Sequence, residues 1–216
     1  MTKVKMCGLF RDEDIHFANE VKPDFIGFVF YKKSSRYVDK ETAKRLRSSL
    51  DPKITVVGVF VDEDISFIKE LVEENIIDNI QLHGHENGDY IRQLRKSFVL
   101  NSPLIIRAEI IKTSEDIVRL HEQSSLYDAS NGSDPELSLP DYYLLDSGMG
   151  SGNSFDWNLL KELNRPIFLA GGLDPENVKE AIDIVKPFAV DVSSGIETDK
   201  VKDIAKMKRF IENVRL

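Results

Sequence analysis

The sequence has few residues of several kinds, and each shortage excludes a class of protein. Cys7 is the only cysteine among 216 residues, so no intrachain disulfide framework is possible. No apolar run approaches the roughly 20 residues that a membrane-spanning helix needs. No charged and then apolar leader precedes the strand-like residues that begin at Val4. These absences favour a soluble cytoplasmic protein with no membrane partner.

Positive charge is also scarce. The chain has 29 Lys and Arg against 37 Asp and Glu, which gives a formal net charge of -8. Nucleic acids and anionic membranes are bound by basic faces, so we expect no nucleic-acid partner, and local donors must hold any anionic small molecule. The length suits a single α/β domain over residues 1–216, and the sequence leaves both a monomer and a homodimer open.

Short β-rich apolar runs recur at intervals of roughly 25 residues, with helical patterns between them, which is typical of βαβ units in a parallel sheet. The count of eight predicts an α/β fold, a single (βα)8 TIM barrel with outer helices. The alternative is an open doubly wound sheet, which usually has about five to seven strands. The predicted strands cover residues 4–8, 25–30, 54–60, 79–84, 103–110, 142–146, 166–172 and 188–195.

Capping residues predict where helices begin. Asp39, Asp62, Ser114 and Asp174 each precede a segment with helical periodicity, and Pro175 suits a first turn. The segment 124–140 is rich in Ser, Asp, Pro and Gly. It predicts a long surface loop at the N-terminal face of the barrel, to which we assign no function.

The carboxyl ends of barrel strands converge, so residues at strand exits are candidates for chemistry. Cys7 is followed by Gly8 at the first exit, and Asp146 ends the sixth strand. The alternatives are a buried, inert thiol and a helix-capping aspartate. We interpret Cys7 and Asp146 as an acid/base pair, because a cationic neighbour can activate a thiol and burial can keep a carboxylic acid protonated.

Glycine and serine follow the seventh and eighth strands, where barrels often bind phosphate through backbone N–H groups. Tight turns are the alternative interpretation of either loop alone. Two further motifs are weaker: the HGHE run at 83–86 could suggest a metal site, and the GMGSGN run at 148–153 lacks the GxGxxG spacing of a dinucleotide site. We therefore predict no metal and no cofactor. The candidate phosphate-binding residues are Gly171, Gly172, Ser193, Ser194 and Gly195.

Seven segments, in order along the chain, resemble the phosphoribosylanthranilate isomerase family. They are KMCGLF, GFVFYKKSSRYV, VGVFVD, QLHGHE, LLDS with GSGNSFDW, LAGGLDPENV and VDVSSGIE. The resemblance implies a cofactor-free Amadori rearrangement of N-(5-phosphoribosyl)anthranilate in tryptophan biosynthesis. The substrate partner would be a small phosphosugar-anthranilate.

The resemblance also implies roles for single residues. Cys7 corresponds to the general base, Asp146 to the general acid and Arg36 to the arginine that binds the anthranilate carboxylate. Asp191 corresponds to a residue associated with the sugar hydroxyls, and Gly172 and Ser194 lie in the phosphate-binding loops. Phe10, Met149 and Asn153 depart from the family pattern. The alternatives are a sister isomerase of histidine biosynthesis and a catalytically silent phosphate-binding barrel.

Overall fold

The computed structural model, which describes residues 1–99, 102–120, 135–146, 157–162 and 166–216, contains a closed barrel of eight parallel strands. Neighbours in sequence are neighbours in the sheet, and β1 pairs with β8 to close it. The TIM-barrel prediction is therefore confirmed. The strands are β1 (Lys3–Cys7), β2 (Phe25–Val29), β3 (Thr55–Phe60), β4 (Asn79–Leu82), β5 (Ile105–Ile110), β6 (Tyr142–Asp146), β7 (Ile167–Ala170) and β8 (Ala189–Val192).

Helices follow most of the strands and cover the barrel. They are α1 (Asp12–Val21), α2 (Lys40–Ser48), α3 (Ile65–Glu73), α4 (Gly88–Lys96), α5 (114–120), α6 (Val178–Val185) and α7 (Ile204–Arg215). Short 3-10 helices span Pro135–Ser138 and Trp157–Glu162. None of the helices in the described part of the chain is long and apolar enough to cross a membrane.

Side chains alternate between the two faces of each strand, because successive residues of a strand point to opposite sides. The larger buried cluster joins one face of the strands to the helices and includes Met6, Leu82 and Val190. A second cluster contains only strand residues and fills the barrel interior. Its members are Phe25, Val57, Ile106, Ala108, Leu144, Phe168, Ala170 and Ala189.

Of the first two predicted helix starts, one agrees with the structure and one does not. Asp39 caps α2 as predicted, since its carboxylate accepts from the backbone N–H of Thr42. The Asp62 prediction is wrong: α3 begins after Asp64, and Asp62 has φ 51° and accepts from the backbone N–H of His85.

The other two starts lie close to their predictions. Residue 114 is already helical. Asp174 caps a turn by accepting from the backbone N–H groups of Glu176 and Asn177, and α6 follows at Val178.

Only the end of the predicted 124–140 loop falls within the described residues. Pro135–Ser138 forms a 3-10 helix in which Ser138 is buried and accepts from Arg92 Nε of α4. This part of the segment is therefore packed against a helix, which the composition did not predict. Residues 121–134 lie outside the described residues.

A short antiparallel hairpin after β8 was not predicted. Its strands are β9 (Glu197–Thr198) and β10 (Val201–Lys202), which pair Lys202 with Glu197. The two turn residues, Asp199 and Lys200, both have positive φ, as a type I′ turn requires. The hairpin places a glutamate and a lysine beside the mouth of the barrel.

Candidate active site

A cavity of about 690 Å³ opens at the C-terminal ends of the strands. Seven of the nine residues predicted from the sequence line it, and two, Arg36 and Gly195, do not. Val29, Val59 and Ala170 give the cavity part of its apolar wall. The predicted residues that it brings together are Cys7, Asp146, Gly171, Gly172, Asp191, Ser193 and Ser194.

Cys7 ends β1 on the interior face of the barrel, opposite Gly27 of β2. A Cβ atom at Gly27 would lie 2.7 Å from Cys7 Sγ, so the glycine provides the space that the thiol occupies. Cys7 is 9% exposed. Burial raises the pKa of the Cys7 thiol and outweighs the opposing effect of the Lys5 ammonium. The thiol form is therefore favoured in the free protein.

Lys5 lies two residues before Cys7, on the same face of β1. It is fully buried, and its Nζ is 2.9 Å from Oδ1 of Asp191 on β8. Burial lowers the pKa of Lys5, but Asp191 and Cys7 together outweigh it and raise that pKa overall. The barrel interior beneath the cavity thus holds a buried ion pair.

Two polar residues, one in β4 and one just after it, face the same cavity as Asp146. His83 is exposed to the cavity, yet loss of surrounding water lowers the pKa of its imidazole although Asp146 acts in the opposite direction. Its Nδ1 lies 3.0 Å from Nε2 of Gln81. Gln81 Oε1 is buried and has no hydrogen-bond partner within the described segments, so a donor on a bound ligand could satisfy it.

The loops after β7 and β8 approach each other closely. Gly171 and Gly172 have φ of 90° and 64°, a conformation that glycine adopts readily and other residues rarely adopt. Because this backbone is not extended, β7 ends two residues earlier than predicted. A Cβ atom at Gly195 would lie 1.9 Å from the carbonyl oxygen of Leu173. Gly195 therefore permits this close packing, and it is the middle residue of the 3-10 turn Ser194–Ile196 at the cavity rim.

Arg36 follows β2 and forms a two-point ion pair with the hairpin. Its Nε and NH2 groups donate to Glu197 at 2.7 and 2.6 Å. Burial would raise the pKa of Glu197, but Arg36 and the buried Lys202 lower it overall, so the carboxylate is ionised. Lys202 also donates to the carbonyl oxygen of Ser193, whose hydroxyl donates to the carbonyl oxygen of Cys7.

The two weaker motifs have different outcomes. No group of three or more His, Cys, Asp or Glu side chains in the described ranges could hold a metal ion. In the HGHE run, the His85 ring pairs with Asp62 and Glu86 accepts from Arg107. The GMGSGN run, with Met149 and Asn153, lies outside the described residues.

Sequence reasoning missed several residues of this site. Lys5 and Gln81 stand two positions before Cys7 and His83, and strand alternation could have assigned them to the barrel interior. No local signal reveals Glu197 as the partner of Arg36, since the two are 161 residues apart.

Comparison with known sequences identifies the family of this chain. Residues 4–213 match the family described as N-(5'-phosphoribosyl)anthranilate isomerase. The enzyme of that name from Thermoanaerobacter sp. strain X514 is 46% identical over 100% of this chain and 98% of its own, and that from Clostridium acetobutylicum is 42% identical with the same coverage.

Solved structures agree with the sequence relatives. Phosphoribosyl anthranilate isomerase from Thermotoga maritima superposes with a TM-score of 0.83 at 36% identity, covering 100% of this chain and 99% of its own. A complex of such an enzyme with reduced 1-(o-carboxyphenylamino)-1-deoxyribulose 5-phosphate gives 0.81 at 36% identity and the same coverage. This chain belongs to the N-(5'-phosphoribosyl)anthranilate isomerase family.

Proposed function

We propose that this chain isomerises N-(5-phosphoribosyl)anthranilate to 1-(2-carboxyphenylamino)-1-deoxyribulose 5-phosphate in tryptophan biosynthesis, with Cys7 as general base and Asp146 as general acid. One observation carries the assignment of roles: the thiol and the carboxyl group open into a single cavity, beside the two glycine- and serine-containing loops. Family membership supports the reaction, and the shared cavity supports the two roles.

The proposed reaction needs two proton transfers, one to the ribose ring oxygen and one from C2′. Asp146 donates a proton to the ribose ring oxygen, the bond from that oxygen to C1′ breaks, and an iminium ion forms. The thiolate form of Cys7 then removes the proton from C2′, which gives a neutral thiol and an enolamine, and the enolamine tautomerises to the ketone product. Each positioned transfer typically contributes about 10²- to 10⁴-fold in rate.

The iminium ion also explains how a thiol with a raised pKa can act as the base. A positive charge next to Cys7 favours the thiolate, because an opposite charge within a few ångströms stabilises the ionised form. In this mechanism the substrate supplies that charge only after Asp146 has opened the ring. The thiolate form of Cys7 is therefore most favoured at the step that needs it.

Binding of the substrate would use both ends of the cavity. Backbone N–H groups at Gly171, Gly172, Ser193 and Ser194 suit a phosphate, and the second carboxylate oxygen of Asp191 suits a sugar hydroxyl. Glu197 uses Nε and NH2 of Arg36, so an anthranilate carboxylate would bind at NH1.

The decisive test is the loss of anthranilate fluorescence when freshly generated phosphoribosylanthranilate meets the purified, chelator-treated protein with no cofactor added. We expect rapid decay, reduced at least about a hundredfold in Cys7→Ala and in Asp146→Asn, as for loss of one acid or base. Near-normal turnover by either folded variant would contradict the role assigned to the substituted residue. Tight binding without decay in the unaltered protein would instead favour a catalytically silent barrel, and turnover of the histidine-pathway aminoaldose alone would favour the sister isomerase.

The proposal also covers the domain organisation, the location and the oligomeric state of the protein. We propose one (βα)8 domain over residues 1–216, because β1 pairs with β8 and the strands between them share one barrel. We also propose a cytoplasmic enzyme that acts on a small molecule and not on nucleic acid, as a monomer or homodimer. A Thermotoga maritima relative is described as dimeric.

A further inference from the structure

Lys5 is a buried charge to which the mechanism above gives no task. Its side chain is fully buried within the barrel, beneath the cavity. An isolated ammonium in such a place is costly, and the ion pair with Asp191 offsets part of that cost. A pair of apolar residues would fill the same space without desolvating two charges, so stability alone gives a weak reason for this arrangement.

The position of Lys5 relative to Cys7 is more informative. Both residues face the barrel interior, two positions apart on β1, and Nζ of Lys5 donates to Oδ1 of Asp191 at 2.9 Å on the neighbouring strand. An ammonium has three N–H donors, so Nζ has donors left for a thiolate at Cys7 while it stays paired with Asp191. The thiol, the ammonium and the carboxylate form one buried cluster.

We propose that Lys5 is the positioning residue of the base: its buried ammonium stabilises the Cys7 thiolate, and Asp191 holds the ammonium beside it. Without Lys5, a thiolate at Cys7 would face the Asp191 carboxylate with no positive charge between them. The inference deepens the proposed function, since it explains how the thiol reaches its ionised form.

Other charged groups also act on Cys7. The direction of each effect predicts whether removal of that group raises or lowers the titration midpoint of the thiol. Lys202 of the hairpin favours the thiolate and Asp191 of β8 opposes it. Arg36 interacts with Cys7 electrostatically from the segment after β2. Among the charges acting on the thiol, that of Lys5 has the largest effect, so its removal should change the titration of Cys7 most.

The test is a titration of the thiol in the absence of substrate, read by the ultraviolet absorbance of the thiolate and by the rate of alkylation with iodoacetamide. Because Cys7 is the only cysteine, either signal reports on this residue alone. We expect Lys5→Met to raise the midpoint by about 1 to 3 pH units, and to slow alkylation at neutral pH at least about tenfold. Asp191→Asn should shift both readouts in the opposite direction, because it removes the charge that opposes the thiolate and keeps an oxygen that accepts from Nζ of Lys5.

Lys3→Met is the matched control. Lys3 lies on the same face of β1, at the other end of the barrel, with its ammonium 5.5 Å from the ring centre of Phe25. The same substitution there should leave the midpoint unchanged. A purely structural effect on the strand would also shift the midpoint of Lys3→Met, or would shift the midpoints of Lys5→Met and Asp191→Asn in the same direction.

If Lys5→Met does not fold, the double variant Lys5→Met/Asp191→Asn removes both charges and leaves no unpaired carboxylate. Its midpoint should lie above that of the unaltered protein, because the ammonium has the larger effect of the two. A midpoint within about 0.3 units of the unaltered protein, in the folded single variant or in the double variant, overturns the proposal. The titration needs no turnover, so a protein that shows these shifts but no isomerase activity contradicts the proposed function and not the role of Lys5.

Discussion

At the scale of single residues, Cys7 can occupy its position only because its neighbour on β2, Gly27, has no side chain. A Cβ atom at Gly27 would lie 2.7 Å from Cys7 Sγ and 3.2 Å from Cys7 Cα. The second contact is with backbone, so rotation of the thiol cannot relieve it and β1 must shift away from β2. We expect Gly27→Ala to lower the free energy of unfolding by about 1 to 3 kcal/mol and kcat at least about tenfold. Urea unfolding and the fluorescence assay measure the two effects.

Gly58→Ala is the control that separates the loss of stability from the loss of kcat. A Cβ atom at Gly58 would lie 2.8 Å from side-chain atoms of Ile77 and Phe60, which belong to the cluster between barrel and helices. This variant should lose a similar amount of stability and keep its kcat. An equal loss of kcat in both variants would show that overpacking anywhere in the barrel harms turnover, and that Gly27 has no special relation to the thiol.

At the scale of elements, the hairpin of β9 and β10 acts as a clamp on Arg36. Glu197 accepts from two nitrogens of Arg36 and from Lys202 Nζ at 2.6 Å, and both hairpin side chains are buried. Glu197→Gln removes the negative charge and leaves two cations without their counter-charge. We expect KM to rise about tenfold or more with a smaller change in kcat, and the free energy of unfolding to fall by about 3 kcal/mol.

A second arginine–glutamate pair in the barrel provides the comparison for this variant. Glu109 accepts from Arg107 Nε at 3.1 Å, and neither residue lines the main cavity. Glu109→Gln should leave KM unchanged. If Glu197→Gln also keeps its KM while it loses stability, the hairpin supports the fold only and Arg36 does not need it for binding.

The elements also show what a sequence can predict. All eight strands were predicted to within a few residues, because strands buried on both faces appear as continuous apolar runs between turn residues. Lys5 and Gln81 were not predicted as site residues, because each is a single polar residue within one of these apolar runs. The hairpin gave no signal, since its turn contains Asp199 and Lys200 rather than the Asn-Gly that favours positive φ. Pairing of Arg36 with the hairpin requires the closed barrel, which no local pattern encodes.

At the scale of the whole molecule, ionisable groups shifted by folding set the pH range of stability. The pKa of several carboxyl groups is lowered in the folded protein, including Asp39 and Asp203, which cap α2 and α7 through backbone N–H groups, and Glu197. In the opposite direction, burial raises the pKa of Cys7 and of Tyr90. The folded state therefore holds fewer protons than the unfolded state in acid and more in alkali.

These directions predict how stability changes with pH. Below the ordinary carboxyl values of 4.5 for Glu and 3.8 for Asp, the unfolded chain takes up protons that the folded carboxylates resist, so stability is lost as the pH falls. Above the ordinary values of 9.0 for Cys7 and 10.0 for Tyr90, the unfolded chain releases protons that the folded groups keep, so stability is lost as the pH rises. Urea midpoints from pH 3 to pH 10 should form a plateau between about pH 6 and 8 and fall on both sides. Asp203→Asn, which keeps a capping oxygen but does not titrate, should reduce the acid loss; a midpoint that rises between pH 5 and pH 3 would contradict the lowered carboxyl pKa values.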